Sequence, residues 1–211
     1  MRDLPAPRRS PSVIGPLFRW LFQWPYRFAL AGLYRAGFRA WQLTALSLVA
    51  NVVVGILLLT GRRLLPGLLL LPAGLLDVFD GGIARLRGEE SRKGALLDSV
   101  VDRLSDGIVF GCLFIAEVTV HRETATAALA LSAMLISLLV SHVRAEGEAA
   151  GLKLVEGSVQ RLERYVALVL GLAIPGLLLP VLAILTALGV VTTFQRMLAA
   201  WRGLAPGETR R

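Results

Sequence analysis

Five aspartates stand at helical spacing in the middle of the chain. Asp77 and Asp80 lie three residues apart near the end of one apolar run, and Asp98, Asp102 and Asp106 follow at intervals of four in the next. Residues spaced by three or four share one face of a helix. Because two helices joined by a short loop are expected to lie side by side, we expect these carboxylates to converge near one membrane surface.

Carboxylates gathered in this way repel one another and lose hydration, so they need compensating positive charge. The neighbouring Arg85 and Arg103 are too few to neutralise the whole set. Hard oxygen ligands in a compact cluster suit magnesium or manganese, and two such ions would leave positive charge for a diphosphate. The predicted ligands of these two ions are Asp77, Asp80, Asp98 and Asp102.

Three other interpretations of the acidic cluster stay open. The aspartates could pair with local arginines or cap helices, which suits one or two acids better than five. They could line the pathway of a divalent-cation transporter, but such acids favour the bilayer midplane on interrupted helices. These acids lie at one edge of their apolar runs, which favours a substrate site. The third interpretation is an inactive membrane scaffold, which the complete aspartate set disfavours.

The apolar content of the chain predicts the elements that position these acids. Hydrophobic residues make up 55% of the 211 residues, and the mean hydropathy is +0.64, more than a soluble domain of this length can bury. Since these residues fall in long runs, we predict an all-α integral membrane protein with an amphipathic interfacial helix near 15–36 and six transmembrane helices. The predicted spans are 41–60, 64–86, 94–118, 124–145, 162–178 and 180–198.

Basic residues predict the orientation of the spans. With the N-terminus in the cytoplasm, the bases outside the spans that face the opposite side are only Arg62, Arg63 and Arg122. The acidic cluster then faces the cytoplasm. A net charge of +8 suits an anionic membrane surface, and we find no nucleic-acid-binding motif. We therefore predict a multi-pass protein of the plasma membrane.

Three regions follow from this pattern. Residues 1–40 are predicted to form a cytoplasmic or interfacial N-terminal segment, 41–200 the six-helix membrane domain, and 201–211 a cytoplasmic tail. Glu117 falls near the far end of the third span, where we expect its side chain to reach the water outside.

The acids and their neighbours resemble the signature of a known family. The spacing Asp77-x2-Asp80-Gly81-x2-Ala84-Arg85-x8-Gly94-x3-Asp98-x3-Asp102 is similar, without a gap, to that of the CDP-alcohol phosphotransferases. The resemblance covers about residues 37–200. It implies a six-helix membrane fold, usually a homodimer, whose substrates meet in a cytoplasm-facing cavity. It also implies that the four aspartates hold two metals and that Asp102 is the general base. The acceptor hydroxyl would attack the lipid-side phosphorus of a CDP-linked lipid, and CMP would leave.

The same resemblance implies contacts with the CDP-lipid. Gly81, Arg85 and Ser91 match positions that contact the CDP moiety in the family. Gln42 lies in a stretch that borders the nucleotide there. The family usually opens its first span with Thr-Pro-Asn/Asp-x-x-Thr, of which this chain keeps only Thr44.

Within the family, the chain looks most like the phosphatidylinositol-phosphate synthases, which would use CDP-diacylglycerol and a phosphorylated polyol such as inositol phosphate. Residues 98–107 are similar to their third helix, and 160–164 resemble their paired Glu-Arg motif. The acceptor phosphate would then bind Arg144, Arg161 and Arg164. Membrane topology is the alternative explanation for these bases. A second candidate activity is phosphatidylglycerophosphate synthesis with glycerol phosphate as acceptor.

Overall fold

In the computed structural model, residues 15–152 and 161–204 are described, with side chains from residue 24 onwards except those of 161–163. All regular structure in this part of the chain is helical. The helices are α1 (Gly15–Arg35), α2 (Ala40–Leu59), α3 (Leu64–Arg87), α4 (Arg92–Ala116), α5 (Thr124–Ala149), α6 (Arg161–Ala173) and α7 (Leu178–Gly203). A π-helical turn, Glu117–His121, continues α4.

Five of these helices are long and apolar enough to cross a membrane: α2, α3, α4 with its π-helical turn, α5 and α7. The predicted fifth span, 162–178, corresponds to α6, which has 13 residues. At 1.5 Å per residue this helix is about 20 Å long, short of the roughly 30 Å hydrocarbon core. Gly176, with φ at +81°, lies in the break before α7. The count of six spans therefore stays a prediction.

Helix α2 is central to the packing. It contacts α3 and α4, while α5 packs on α4 and α7, and α3 packs on α6. Buried Asn51 of α2 donates to the Ser47 carbonyl (2.8 Å) and accepts from the Tyr165 hydroxyl of α6 (3.1 Å). Because polar groups inside a membrane protein must find internal partners, this pair ties α2 and α6 together.

Glycines let α3 and α6 approach closely. A Cβ added at Gly74 would lie 2.7 Å from the Tyr165 ring, and one added at Gly67 would lie 2.9 Å from Leu172 Cβ. Side chains at these two positions would push the helices apart, so the glycines define how near α6 sits.

The far end of α4 differs from the sequence prediction. Glu117 does not reach outside water; it is fully buried and accepts bonds from Arg63 Nη2 (2.6 Å) and Nε (3.2 Å). Arg63 also lies 3.5 Å from Glu123. The prediction was wrong because it treated Glu117 alone, whereas the turn between α2 and α3 brings a guanidinium to the same end of the bundle. That pairing makes burial of the carboxylate tolerable.

Helix α1 is confirmed and packs on the end of α3. Tyr26 and Leu30 are buried there, whereas Trp24 and Phe28 are 77% and 75% exposed. This division into a packed face and an exposed aromatic face is the one expected of an amphipathic interfacial helix, and its place in the membrane interface stays a prediction.

Candidate functional site

The acids of α3 and α4 reach the same depth because of how the two helices are joined. Gly88, in the left-handed region with φ at +66°, ends α3, and the Ser91 hydroxyl caps the start of α4 by accepting from Gly94 N at 3.1 Å. Asp77 lies ten residues before the end of α3, and Asp102 ten residues after the start of α4. Both therefore lie about 15 Å along their helices from the connecting loop.

Three of the predicted ligands come together. Asp77, Asp98 and Asp102 each offer a carboxylate oxygen, and these oxygens all lie within 4.8 Å of one another. The three side chains are partly exposed. Oxygen-only ligands at this spacing, on rigid helices, fit a hard divalent cation such as magnesium or manganese. The convergence predicted from the sequence is confirmed for these residues.

Asp80 stands deeper than that group. It is 5% exposed and accepts a 2.6 Å hydrogen bond from the Thr44 hydroxyl of α2, which also donates to the Ala40 carbonyl at 3.1 Å. One carboxylate oxygen is thereby fixed by α2. A carboxylate held by a neighbouring donor is the usual arrangement around metal ligands, so Asp80 fits the role of a fourth ligand.

The helices themselves are arranged differently from the expectation. Although α3 and α4 are joined by a short loop, they make no extensive contact with each other in the described part of the chain; α2 packs against both. The acids therefore face one another across the gap that separates the two helix backbones.

Asp106 pairs with an arginine and a serine instead of joining the cluster. Its Oδ2 lies 3.0 Å from Arg164 Nη1 of α6 and accepts a 2.6 Å hydrogen bond from the Ser137 hydroxyl of α5. Arg164 also donates to that hydroxyl. The prediction that Asp106 converges with the other aspartates was wrong. Asp106 shares their helix face but lies one turn deeper, where α5 and α6 are the neighbours.

The residues expected to contact the CDP-lipid lie in the last two turns of α3 and at the starts of α2 and α4. The Arg85 side chain turns back towards Gly81, whose Cβ, if present, would be 3.9 Å from Arg85 Nη1. Ser91 is exposed and caps α4, as described above. The Gln42 side chain accepts from the Arg39 backbone N–H at 2.9 Å and so closes the first turn of α2. Ser91 and Gln42 thus each have a structural role at the start of a helix.

Two of the residues expected to bind the acceptor phosphate, Arg144 and Arg164, have their side chains described. Arg144 is exposed and pairs with Glu148 of its own helix at 2.8 Å. Arg164 is 20% exposed and held by Asp106. The side chain of Arg161 lies outside the described residues. The bond between Arg164 and Asp106 was missed because no sequence spacing relates α4 to α6.

Comparisons with known proteins agree with this geometry. The family model for CDP-alcohol phosphatidyltransferases matches residues 39–199. The phosphatidylinositol phosphate synthase of Mycobacterium marinum is 32% identical over 187 residues, which are 84% of this chain and 79% of that protein. A crystal structure of the Mycobacterium tuberculosis phosphatidylinositol phosphate synthase, PgsA1, with CDP-DAG bound has a TM-score of 0.76 and 29% identity, covering 88% of this chain and 97% of that chain. The same enzyme in complex with manganese and citrate gives a TM-score of 0.76 and 29% identity, covering 88% and 92%. The matched residues include every helix that carries one of the aspartates.

Proposed function

Because this chain belongs to the CDP-alcohol phosphatidyltransferase family, we propose that it transfers a phosphatidyl group from CDP-diacylglycerol to a hydroxyl of inositol phosphate, releasing CMP. The observation that carries the proposal is the meeting of Asp77, Asp98 and Asp102 across the gap between α3 and α4. A diphosphate needs a cationic site, and carboxylates at this distance supply one by holding divalent ions.

Two ions, magnesium or manganese, are proposed to bind among Asp77, Asp80, Asp98 and Asp102. Manganese in the related PgsA1 structure supports metal dependence. When bound, the ions would offset the charge of the diphosphate and favour attack on its phosphorus. Thr44 aligns Asp80 by donating a hydrogen bond from its hydroxyl to one carboxylate oxygen.

Asp102 is the proposed general base. Its carboxylate takes the proton of the acceptor hydroxyl as that oxygen attacks the lipid-side phosphorus. The bond from this phosphorus to the bridging oxygen breaks, and CMP leaves with that oxygen. The remaining contribution of the protein is alignment, since in-line attack on phosphorus depends on positioning and charge more than on covalent chemistry.

The CDP-lipid is proposed to lie along the end of α3 and the start of α4, in contact with Gly81, Arg85, Ser91 and Gln42. Arg85 supports this placement in particular. Its side chain turns back towards Gly81, and its terminal guanidinium N–H groups are donors that suit a phosphate oxygen. Gly81 has no side chain, which lets a phosphate approach the helix backbone.

The acceptor phosphate is proposed to bind Arg144, Arg161 and Arg164. Arg164 keeps several N–H donors beyond those used by Asp106 and Ser137, because a guanidinium carries five. Inositol phosphate is favoured over glycerol phosphate by the names of the relatives. Glycerol phosphate remains the second candidate, since the same arginines would suit it.

The chain is a multi-pass membrane protein. We further propose that it lies in the plasma membrane with the aspartates facing the cytoplasm, as the distribution of basic residues predicts, and that it works as a homodimer. The proposed regions are a segment at 1–40, a membrane domain at 41–200 and a tail at 201–211.

The test is a CMP-release assay on the purified protein in mixed micelles. CDP-diacylglycerol, manganese or magnesium, and a panel containing inositol phosphate, inositol, glycerol phosphate and serine are supplied, and CMP is measured. We expect metal-dependent release with inositol phosphate alone. Release with glycerol phosphate alone would show that glycerol phosphate, and not inositol phosphate, is the acceptor. If no alcohol supported CMP release and manganese entered proteoliposomes, the protein would be a transporter and not a transferase.

A further inference from the structure

Helix α1 contributes a buried hydroxyl next to the CDP-lipid site. Tyr26 is 7% exposed and stacks on Phe79 of α3, with ring centroids 5.3 Å apart and planes inclined by 13°. Its ring is therefore fixed in place by α3. The hydroxyl at the end of the ring points at the stretch of α3 that also carries Asp80 and Gly81.

Gly82 makes this arrangement possible. A Cβ at Gly82 would lie 2.5 Å from the Tyr26 hydroxyl oxygen and 2.8 Å from Leu30 Cδ1. Neither Gly82 nor Phe79 is a fixed position of the spacing that relates this chain to its family. The contact between α1 and α3 is thus built from residues that the general signature does not explain.

Two polar atoms at this contact lack partners. The Tyr26 hydroxyl and Arg85 Nε are each buried, and neither completes a hydrogen bond within the described part of the chain. Burial raises the pKa of the Tyr26 hydroxyl, and the adjacent Arg85 guanidinium opposes that shift. Leaving a buried donor and a neighbouring buried acceptor unpaired costs free energy, so we expect the two groups to pair when substrate is bound.

We propose that Tyr26 is a positioning residue for the CDP-lipid site: its hydroxyl accepts from Arg85 Nε and so directs the other guanidinium N–H groups at the diphosphate. The proposal rests on the transferase function proposed above. Under this proposal α1 does more than attach the protein to the membrane. The helix that exposes Trp24 and Phe28 also orients Arg85, which binds the diphosphate.

The first test compares Tyr26→Phe with Tyr34→Phe. Both changes remove one phenolic hydroxyl from α1, and Tyr34 is 45% exposed with its ring beside Arg87 rather than Arg85. We expect Tyr26→Phe to raise the KM for CDP-diacylglycerol about tenfold, as for one lost bond to a charged group, with kcat and the acceptor KM unchanged. Tyr34→Phe should change none of these. The proposal would be overturned if Tyr26→Phe had the same KM for CDP-diacylglycerol as the wild type. It would also be overturned if the KM for CDP-diacylglycerol and the KM for the acceptor rose by the same factor.

The second test uses Gly82→Ala alone and together with Tyr26→Phe. The added methyl group should displace the Tyr26 hydroxyl and weaken CDP-diacylglycerol binding by a similar factor, but it should weaken binding much less when Phe already occupies position 26. Additive effects of the two changes would contradict the proposal.

Equilibrium binding of CDP-diacylglycerol separates this proposal from the proposed function. A wild type that binds the lipid but releases no CMP would end the transferase proposal alone. In that case, weaker binding by Tyr26→Phe would still support the role of Tyr26, and unchanged binding would refute it.

Discussion

Replacing Glu117 with glutamine should destabilise the fold by about 2–3 kcal/mol while leaving catalysis intact. Removing one partner of a buried ion pair typically costs about 3–5 kcal/mol, because the other charge is left without compensation. Here Arg63 is 26% exposed and has Glu123 at 3.5 Å, so part of its charge can be hydrated or shared. We therefore expect Glu117→Gln to lower the free energy of unfolding by an amount at, or slightly below, the lower end of that range.

The assay is thermal unfolding in detergent, in which a loss of this size lowers Tm by roughly 4–12 °C for a chain of this length. The matched control is Glu123→Gln, which removes the same charge from the same arginine at a side chain that is 51% exposed; its effect should stay below about 1 kcal/mol. A double variant, Arg63→Met with Glu117→Met, should be more stable than either single Met variant, because no charge is left buried alone.

Activity below the unfolding temperature gives the second half of the measurement. Glu117 stands fifteen residues beyond Asp102 on the same helical path, about 22 Å away. We therefore expect kcat and both KM values to match the wild type. A Glu117→Gln protein as stable as Glu123→Gln would refute the energetic reasoning, and a loss of kcat at unchanged Tm would refute the separation of this ion pair from the site.

Four further outcomes are expected. Asp98→Asn should lower CMP release at least a hundredfold yet keep the fold, since removing one carboxylate relieves repulsion; Glu90→Gln, an exposed acid in the α3–α4 loop, should have no effect on turnover. Thr44→Val should weaken manganese binding about tenfold, measured by metal titration of turnover, because Asp80 loses its donor. Arg164→Ala should raise the acceptor KM far more than that for CDP-diacylglycerol, and equal increases would remove it from the acceptor site. Asp106→Asn should act on the acceptor KM in the same direction, and an unchanged value would show that the ion pair does not align Arg164.

Much of the fold and the centre of the site could be predicted because both depend on local patterns. Long apolar runs predict helices directly, and the predicted second span, 64–86, differs from α3 by one residue at its end. The three and four residue intervals placed Asp77, Asp98 and Asp102 on facing stripes, and the structure brings them together.

The parts that could not be predicted depend on contacts between helices that are distant in the sequence. The bond from Thr44 to Asp80 joins residues 36 apart, and the pair of Asp106 with Arg164 joins α4 to α6. Helical spacing fixes which residues share a face but not which neighbour that face meets. Hydropathy predicts a span at 162–178 but does not locate the end of α6 at Ala173 or the turn at Gly176.

The glycine contact between α3 and α6 also bears on the proposed acceptor site. Arg164 directly precedes Tyr165, and the Tyr165 ring rests against the bare backbone of Gly74. The distance between α6, which carries Arg164, and α3, which carries Asp77 one turn beyond Gly74, therefore depends on the missing side chain at position 74. With Arg164 on the acceptor phosphate as proposed, a methyl group added at position 74 would change the room left for the phosphorylated alcohol without altering any group that touches it.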